Sequence, residues 1–268
     1  MKKSFIIYTP PYDEGSAGIV ALHRLAFELK LRQENVFIHV THDPFGRGNG
    51  YNKDWKIPTL QYPDAIAVYP EITHGNPLGC NTVARIIMHI PGYWGGPITF
   101  GNDVLWAYSD YWNKRANLNL PKERILTIPV INIDKFPCYG TNRHKRYIYR
   151  GKGKQPIDPR VKGEDLKSGS GTFVEKLNEA EILYSYDNVT ALSMIALLCG
   201  CPVVLIPDPL FSRRDLELIL VPGIGYGVEE EEKAKNTLDV SKIRDIFIEE
   251  EKLFQERLDI FIKVMRSV

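Results

Sequence analysis

A chain of 268 residues is longer than one small core requires, so one large or two smaller domains are expected. Hydrophobic residues at 44% and charged residues at 25% are those of a folded globular protein, and a net charge of +1 argues against a general nucleic-acid binder. The cysteines (Cys80, Cys138, Cys199, Cys201) lack metal-ligand spacing and read as reduced thiols of a cytoplasmic protein; Met1-Lys2-Lys3 leads into a short strand rather than a signal segment, and no apolar run approaches the roughly 20 residues of a membrane span.

In chain order, Phe5-Ile6-Ile7-Tyr8 predicts a strand, and residues 9–18, with Pro10, Pro11, Gly15 and Gly18, a turn-rich loop. Residues 19–32 carry Val20, Leu22, Leu25, Ala26 and Leu29 at helical spacing. Strands are expected at 36–40 and 65–69, a short helix at 81–89, and further strands at 104–108 and 125–130. Strands separated by helices imply a parallel sheet with right-handed crossovers. A basic stretch (Arg143, Lys145, Arg146, Arg150, Lys152, Lys154) surrounds a strand at 147–149, and residues 155–171 read as a long loop. A helix is expected at 171–180, a strand at 182–184, a turn and short strand at 223–228. From Asp239, Ile243, Ile246, Phe247, Phe254, Leu258, Phe261 and Met265 repeat at helical spacing, the apolar stripe of a long terminal helix.

The segment YSYDNVTALSMIALLCGCPVVLIPD, residues 184–208, concentrates the functional signal. Asp187, Asn188 and Thr190 are residue types that start helices, because their side-chain oxygens accept orphan backbone N–H groups. The run from Thr190 to Cys199 is a buried helix, Gly200 ends it, and Cys201 to Ile206 reads as a core strand. The N-terminus of such a helix favours anions, so Tyr186, Asn188 and Thr190 beside it suit a sugar, a ribose or a phosphate. In the first half, Glu71, His74 and Asn76 follow the third strand at its carboxyl end, where open α/β sheets bind ligands. Each group also has a plain structural reading: Asp187 and Asn188 as caps, Gly15 and Gly18 as a turn, residues 71–76 as a polar loop, and Arg143, Lys145 and Arg146 as a solvated or membrane-facing surface.

Three pieces, in order, resemble nucleotide-sugar-dependent glycosyltransferases of the GT-B fold. They are the loop Asp13-Glu14-Gly15-Ser16-Ala17-Gly18; the run Leu126 to Phe136 (LTIPVINIDKF), similar to the family's interdomain linker; and Asp187 to Val204, similar to its Glu-x7-Glu helix followed by Cys-Gly-x-Pro-Val-Val. The resemblance implies an α/β protein of two Rossmann-like domains facing a cleft: residues 1–135, the acceptor side; 136–238, a reduced donor domain; and 239–268, a helix crossing back to the first. Only 36 residues separate Arg150 from Asp187, fewer than usual in the family, which implies at least one missing strand–helix unit. Aligning Cys199-Gly200-Cys201-Pro202 with the family's motif puts Asp187 at the first Glu, beside the donor sugar. Ile195 stands at the second, ribose-binding Glu and cannot accept a hydrogen bond. Arg150, Lys152 and Lys154 resemble the basic pair that neutralises the donor pyrophosphate, and Gly15, Ser16 and Gly18 the loop near the phosphates or the acceptor.

The implied chemistry is sugar transfer from a nucleoside-diphosphate sugar to a hydroxyl of a glycan or lipid-linked acceptor, as in polysaccharide assembly. No Asp-x-Asp motif is present, so a metal-independent route with no cofactor beyond the donor is expected, with cations and a helix start meeting the leaving-group charge. The motif similarity implies retention of configuration; in an inverting route Glu71 becomes the general base. The implied location is cytoplasmic, with a peripheral contact at the inner membrane face. A sugar-nucleotide epimerase on the same fold and a non-catalytic nucleotide or glycan binder stay open. A nicotinamide dehydrogenase fits poorly, because the first loop is not Gly-x-Gly-x-x-Gly.

Overall fold

The computed structural model describes residues 3–41, 64–140, 142–152, 155–167 and 172–268. The chain divides into two compact units: residues 1–130 with 250–268, and residues 131–249. Each is built on a five-stranded parallel sheet.

In the first unit, β1 (Ser4–Thr9), β2 (Val36–Val40), β3 (Ala65–Pro70), β4 (Thr82–Ile87) and β5 (Val104–Ala107) pair in the order β2-β1-β3-β4-β5. Helix α1 (Ala17–Leu31) turns Leu22, Leu25, Ala26 and Leu29 onto one face of this sheet, against Phe5 and Ile7. The other face gathers Ile6, Ala67, Tyr69, Cys80 and Val83. Two expectations fail here. The expected helix at 81–89 is instead the strand β4 (Thr82–Ile87), because all six strand positions are buried and four of them (Thr82, Val83, Ile86, Ile87) are β-branched. Such a strand in a parallel sheet reads as a continuous apolar run, which periodicity alone does not separate from a buried helix. Residues 125–130 do not form a strand: only Ile125 bridges to Ala107, although Leu126 and Ile128 are fully buried. The connections 71–81 and 88–103 contain no helix; one follows β5 instead, α2 (Asp110–Arg115), capped by Ser109, whose Oγ accepts from Trp112 N at 3.3 Å.

The second unit contains β6 (Lys145–Tyr149), β7 (Glu164–Asp165), α3 (Phe173–Glu179), β8 (Ala180–Ser185), α4 (Ala191–Leu198), β9 (Val203–Leu205), α5 (Arg213–Leu216), β10 (Ile224–Tyr226) and α6 (Glu231–Thr237). Its sheet order is β10-β9-β8-β6-β7. This is the arrangement of the first unit repeated: the second strand pairs on one side of the first, and the third, fourth and fifth follow on the other. The expected shortening of this domain therefore takes the form of short strands, two residues in β7 and three in β9 and β10, rather than fewer strands than in the first unit.

The last helix, α7 (Val240–Ser267), is continuous through the division at residue 249. Phe254, Leu258, Phe261 and Met265, spaced four, three and four apart, are fully buried in the first unit's core with α1. Burial of such side chains is worth about 1.5–3 kcal/mol each. Arg24 of α1 and Arg32 just past its end meet Glu251 and Asp259 at 2.7 and 2.6 Å.

Candidate functional site

In a sheet of this order the chain leaves the first strand toward one side and the third toward the other, and the crevice between their carboxyl ends is the ordinary ligand site of open α/β folds. In the second unit these are β6 and β8. The residues leaving them are Arg150-Gly151-Lys152 and Tyr186-Asp187-Asn188, six consecutive-by-threes residues at one edge.

Gly151 lets the two segments close on each other. Its φ is +50°, a left-handed conformation that favours glycine, and a β-carbon there would lie 2.6 Å from Cβ and 2.8 Å from Oδ2 of Asp187. With the turn this close, the Lys152 backbone N–H donates to Asp187 Oδ2 at 3.3 Å, and Lys152 Nζ stands 3.7 Å from the same oxygen. Burial pushes the Asp187 carboxyl above its ordinary range, and Lys152 pulls the other way. Lys152 is exposed, so a cation faces solvent directly above a buried carboxylate.

The helix start differs from the expected one. Thr190 alone caps α4, its Oγ1 accepting from Leu192 N at 3.3 Å; Asp187 turns to Lys152 instead. Asn188 is buried, and its Nδ2 donates to Ile206 O at 2.9 Å, which orients the carboxamide so that Oδ1 is the free end. That oxygen is buried without a hydrogen-bond partner, as are Ser193 Oγ in the first turn of α4 and Arg150 Nη1. These three polar atoms are left available to polar partners.

Tyr186 does not face a ligand. It is fully buried; the Arg150 guanidinium lies 4.8 Å from its ring centre, and its hydroxyl accepts from Asp158 N at 2.8 Å. It supports Arg150 from below and fastens the 155–161 loop. Lys154 lies outside the described residues. The rest of the basic stretch is engaged internally: Arg143 donates to the carbonyls of Leu177, Ala180 and Cys199, Lys145 meets Glu164, and Arg146 meets Tyr184 and Glu231.

The other predicted residues sit in the first unit, at the carboxyl edge of its own sheet. Glu71 follows β3, is 4% exposed and accepts from Met88 N at 2.9 Å; burial pushes its carboxyl up, opposed by backbone N–H groups and by Arg85. His74 is exposed, and its Nε2 donates to Gly95 O at 2.8 Å. Gly15 and Ser16 lead into α1, and Gly18, expected in the loop, lies in its first turn. Gly15 N donates to Asp13 Oδ1 at 2.9 Å, and Ser16 occupies the cap position without a side-chain cap bond. Among the described residues nothing stands within 4 Å of the β-carbon position of Gly18.

Sequence reasoning missed Gly151 and Arg85. Gly151 could have been found as a glycine flanked by cations just past a strand. Arg85, in the middle of β4 and 2% exposed, donates to Thr73 O at 2.6 Å and Gly75 O at 2.7 Å, meets Asp103 at 2.7 Å, and lies 4.9 Å from the ring centre of Tyr69. It thereby shapes the loop that carries Glu71 and His74.

No family model matches the chain, and no curated protein matches its sequence. Among solved structures, the chain is similar to one described as a UDP-N-acetylglucosamine 2-epimerase from Listeria monocytogenes (9% identity, 97% of this chain and 91% of that one, TM-score 0.46). It is also similar to MurG of Acinetobacter baumannii (13% identity, 99% and 100%, TM-score 0.37) and to the wall teichoic acid polymerase TagF (10% identity, 99% and 88%, TM-score 0.38).

Proposed function

We propose that the chain transfers a sugar from a nucleoside-diphosphate sugar to a hydroxyl of a glycan or lipid-linked acceptor, with the donor held at the carboxyl edge of the second sheet. The observation that carries this reading is the convergence of Arg150, Lys152, Asp187, Asn188 and the start of α4 at the β6/β8 switch point. The division of labour follows from charge. Arg150, Lys152 and the N–H groups of the first turn of α4 meet the diphosphate and the charge that grows on it as the sugar leaves; Lys154 joins them in this reading. Asp187 and the free Oδ1 of Asn188 are acceptors, suited to sugar hydroxyls. Configuration is retained, and no cofactor or metal is invoked. Should the reaction invert, Glu71 is the general base, since a carboxyl raised by burial is a better proton acceptor near neutral pH than an ordinary one. The reaction takes place in the cytoplasm, against the inner face of the membrane when the acceptor is lipid-linked.

A second reading, a binder without turnover, is favoured by one observation: Asp187 is 7% exposed and already answered by Lys152, while Ile195 offers no acceptor for a ribose. Incubation with a panel of nucleotide sugars, followed by chromatography of nucleotide and sugar products, separates the two. Release of a nucleoside diphosphate with transfer or hydrolysis of the sugar supports the transferase. Binding with every donor recovered intact supports the binder, and a donor returned as its epimer overturns both.

A further inference from the structure

The carboxyl edge of the first sheet carries an aromatic turn that the donor site leaves unused. It stands in the connection from β4 to β5, where the Tyr93 amide donates to Ile90 O and the Gly95 amide to Gly92 O, each at 3.1 Å. Beneath the turn the rings pack in series. Trp112 of α2 lies 4.7 Å from His89, His89 lies 4.6 Å from Tyr93, and Tyr93 meets Trp94 edge-on at 4.8 Å. Trp112 is buried and Trp94 is 55% exposed, so the series runs from the core to an indole open to solvent.

The turn is fastened to the loop that follows β3. A β-carbon on Gly96 would lie 2.6 Å from Ile72 Cα and 3.0 Å from Glu71 O, and Gly95 O accepts from His74 Nε2 at 2.8 Å, which leaves Nδ1 as the other polar end of that ring. Ile72 and Ile98, both exposed, flank the turn. An apolar surface gathered in this way marks a contact site, and charge restricts what it contacts. Between residues 71 and 103 the only lysine or arginine is Arg85, which is buried and turned to Asp103 and the loop carbonyls, while Glu71 and Asp103 are acidic. A phosphate or an anionic lipid surface therefore meets no counter-charge from these loops. A pyranose ring fits them: its axial C–H bonds give it an apolar face that stacks on an indole, and its hydroxyl rim calls for the acceptors that His74, Glu71 and the loop carbonyls supply.

We propose that Trp94 is the stacking platform of a neutral glycan site on the first unit. One pyranose ring lies on the indole beside Ile72 and Ile98, with its hydroxyls turned to His74 and Glu71. Calling that glycan the acceptor rests on the sugar-transfer reading; the binding itself does not. Within that reading the site makes the acceptor a saccharide gripped by its ring face, rather than a lipid gripped by its tail or its phosphate.

The test is titration of the full chain with the neutral oligosaccharides cellotetraose, chitotetraose and maltotetraose, read by tryptophan fluorescence and by saturation-transfer NMR of the sugar. At least one should bind, with transfer strongest at the C–H protons of one ring face. Trp94→Ala should weaken it by about tenfold or more, the loss expected of an aromatic anchor, and Trp94→Phe should keep most of it. Circular dichroism and the response to nucleoside diphosphates should be the same in all three proteins, so a failed donor site and a failed glycan site are told apart. No binding of any of these sugars at millimolar concentration, or binding unchanged in Trp94→Ala, would overturn the proposal. So would Trp94-dependent sedimentation with phosphatidylglycerol vesicles, or a Trp94-dependent dimer, in place of saccharide binding.

Discussion

Substituting Gly151 by alanine tests how the candidate site is assembled. Two effects add. The residue sits at φ +50°, where a side chain costs about 1–2 kcal/mol relative to glycine. The new methyl would lie 2.6 Å from Asp187 Cβ and 2.6 Å from the Tyr149 ring, contacts that need backbone movement, and overpacking of this kind costs about 1–3 kcal/mol more. A loss of about 2–5 kcal/mol is therefore expected. The assay is urea unfolding followed by circular dichroism, with Gly75→Ala as reference. Gly75 has φ +58° but nothing within 4 Å of its β-carbon position, so it carries the backbone effect alone. The steric part should also push Asp187 off the Lys152 amide. A Gly151→Ala protein no less stable than Gly75→Ala would refute the reasoning, because the 150–152 turn would then not be packed on Asp187.

Three further outcomes follow. The folded pKa of Glu71 lies above its ordinary 4.5, so its contribution to stability is complete below that value and is lost as pH rises through the raised one. Glu71→Gln should thus flatten the fall in stability of the unsubstituted protein from acid toward neutral pH; an unchanged slope would show that Glu71 is not buried as described. Arg85→Met leaves Asp103 and loop carbonyls without their donor, and a loss of about 3–5 kcal/mol with faster amide exchange at 71–79 is expected; a loss under about 1 kcal/mol would contradict it. Tyr186→Phe strands the Asp158 N–H at a cost of about 1–3 kcal/mol and loosens 155–161 in hydrogen exchange, while the ring under Arg150 stays; weaker ligand binding should appear in Tyr186→Leu and not in the phenylalanine variant.

What the sequence made legible is what periodicity encodes. Strand β1, helices α1, α4 and α7 and the strands around the candidate site stand close to where apolar spacing puts them, because each buries one stripe or one short run. Strand β4 was not legible: once its single charge, Arg85, is answered by a loop folded over it, the rest of the run after Thr82 is apolar and fits a helix equally well. Short α2 and α6 are set by their neighbours rather than by their own pattern. At the site, the residue types after β8 were readable and their directions were not. Three residues there are able to cap α4 and only Thr190 does; that frees Asp187 for Lys152, a partner 35 positions away. Tyr186 was read as ligand-facing, but strand alternation continued past β8 turns it into the core with Ile182 and Tyr184.

The most direct measurement of the central claim is a thermal-shift screen of the purified chain with UDP, GDP, dTDP, ADP and CMP, then with their sugars. A ligand that binds only the folded state stabilises it by about 2.7 kcal/mol at a hundred times its dissociation constant. The account predicts a clear rise in melting temperature with one diphosphate, reduced in Arg150→Ala. No shift with any of them at millimolar concentration would contradict a donor site at Arg150, Lys152 and Asp187.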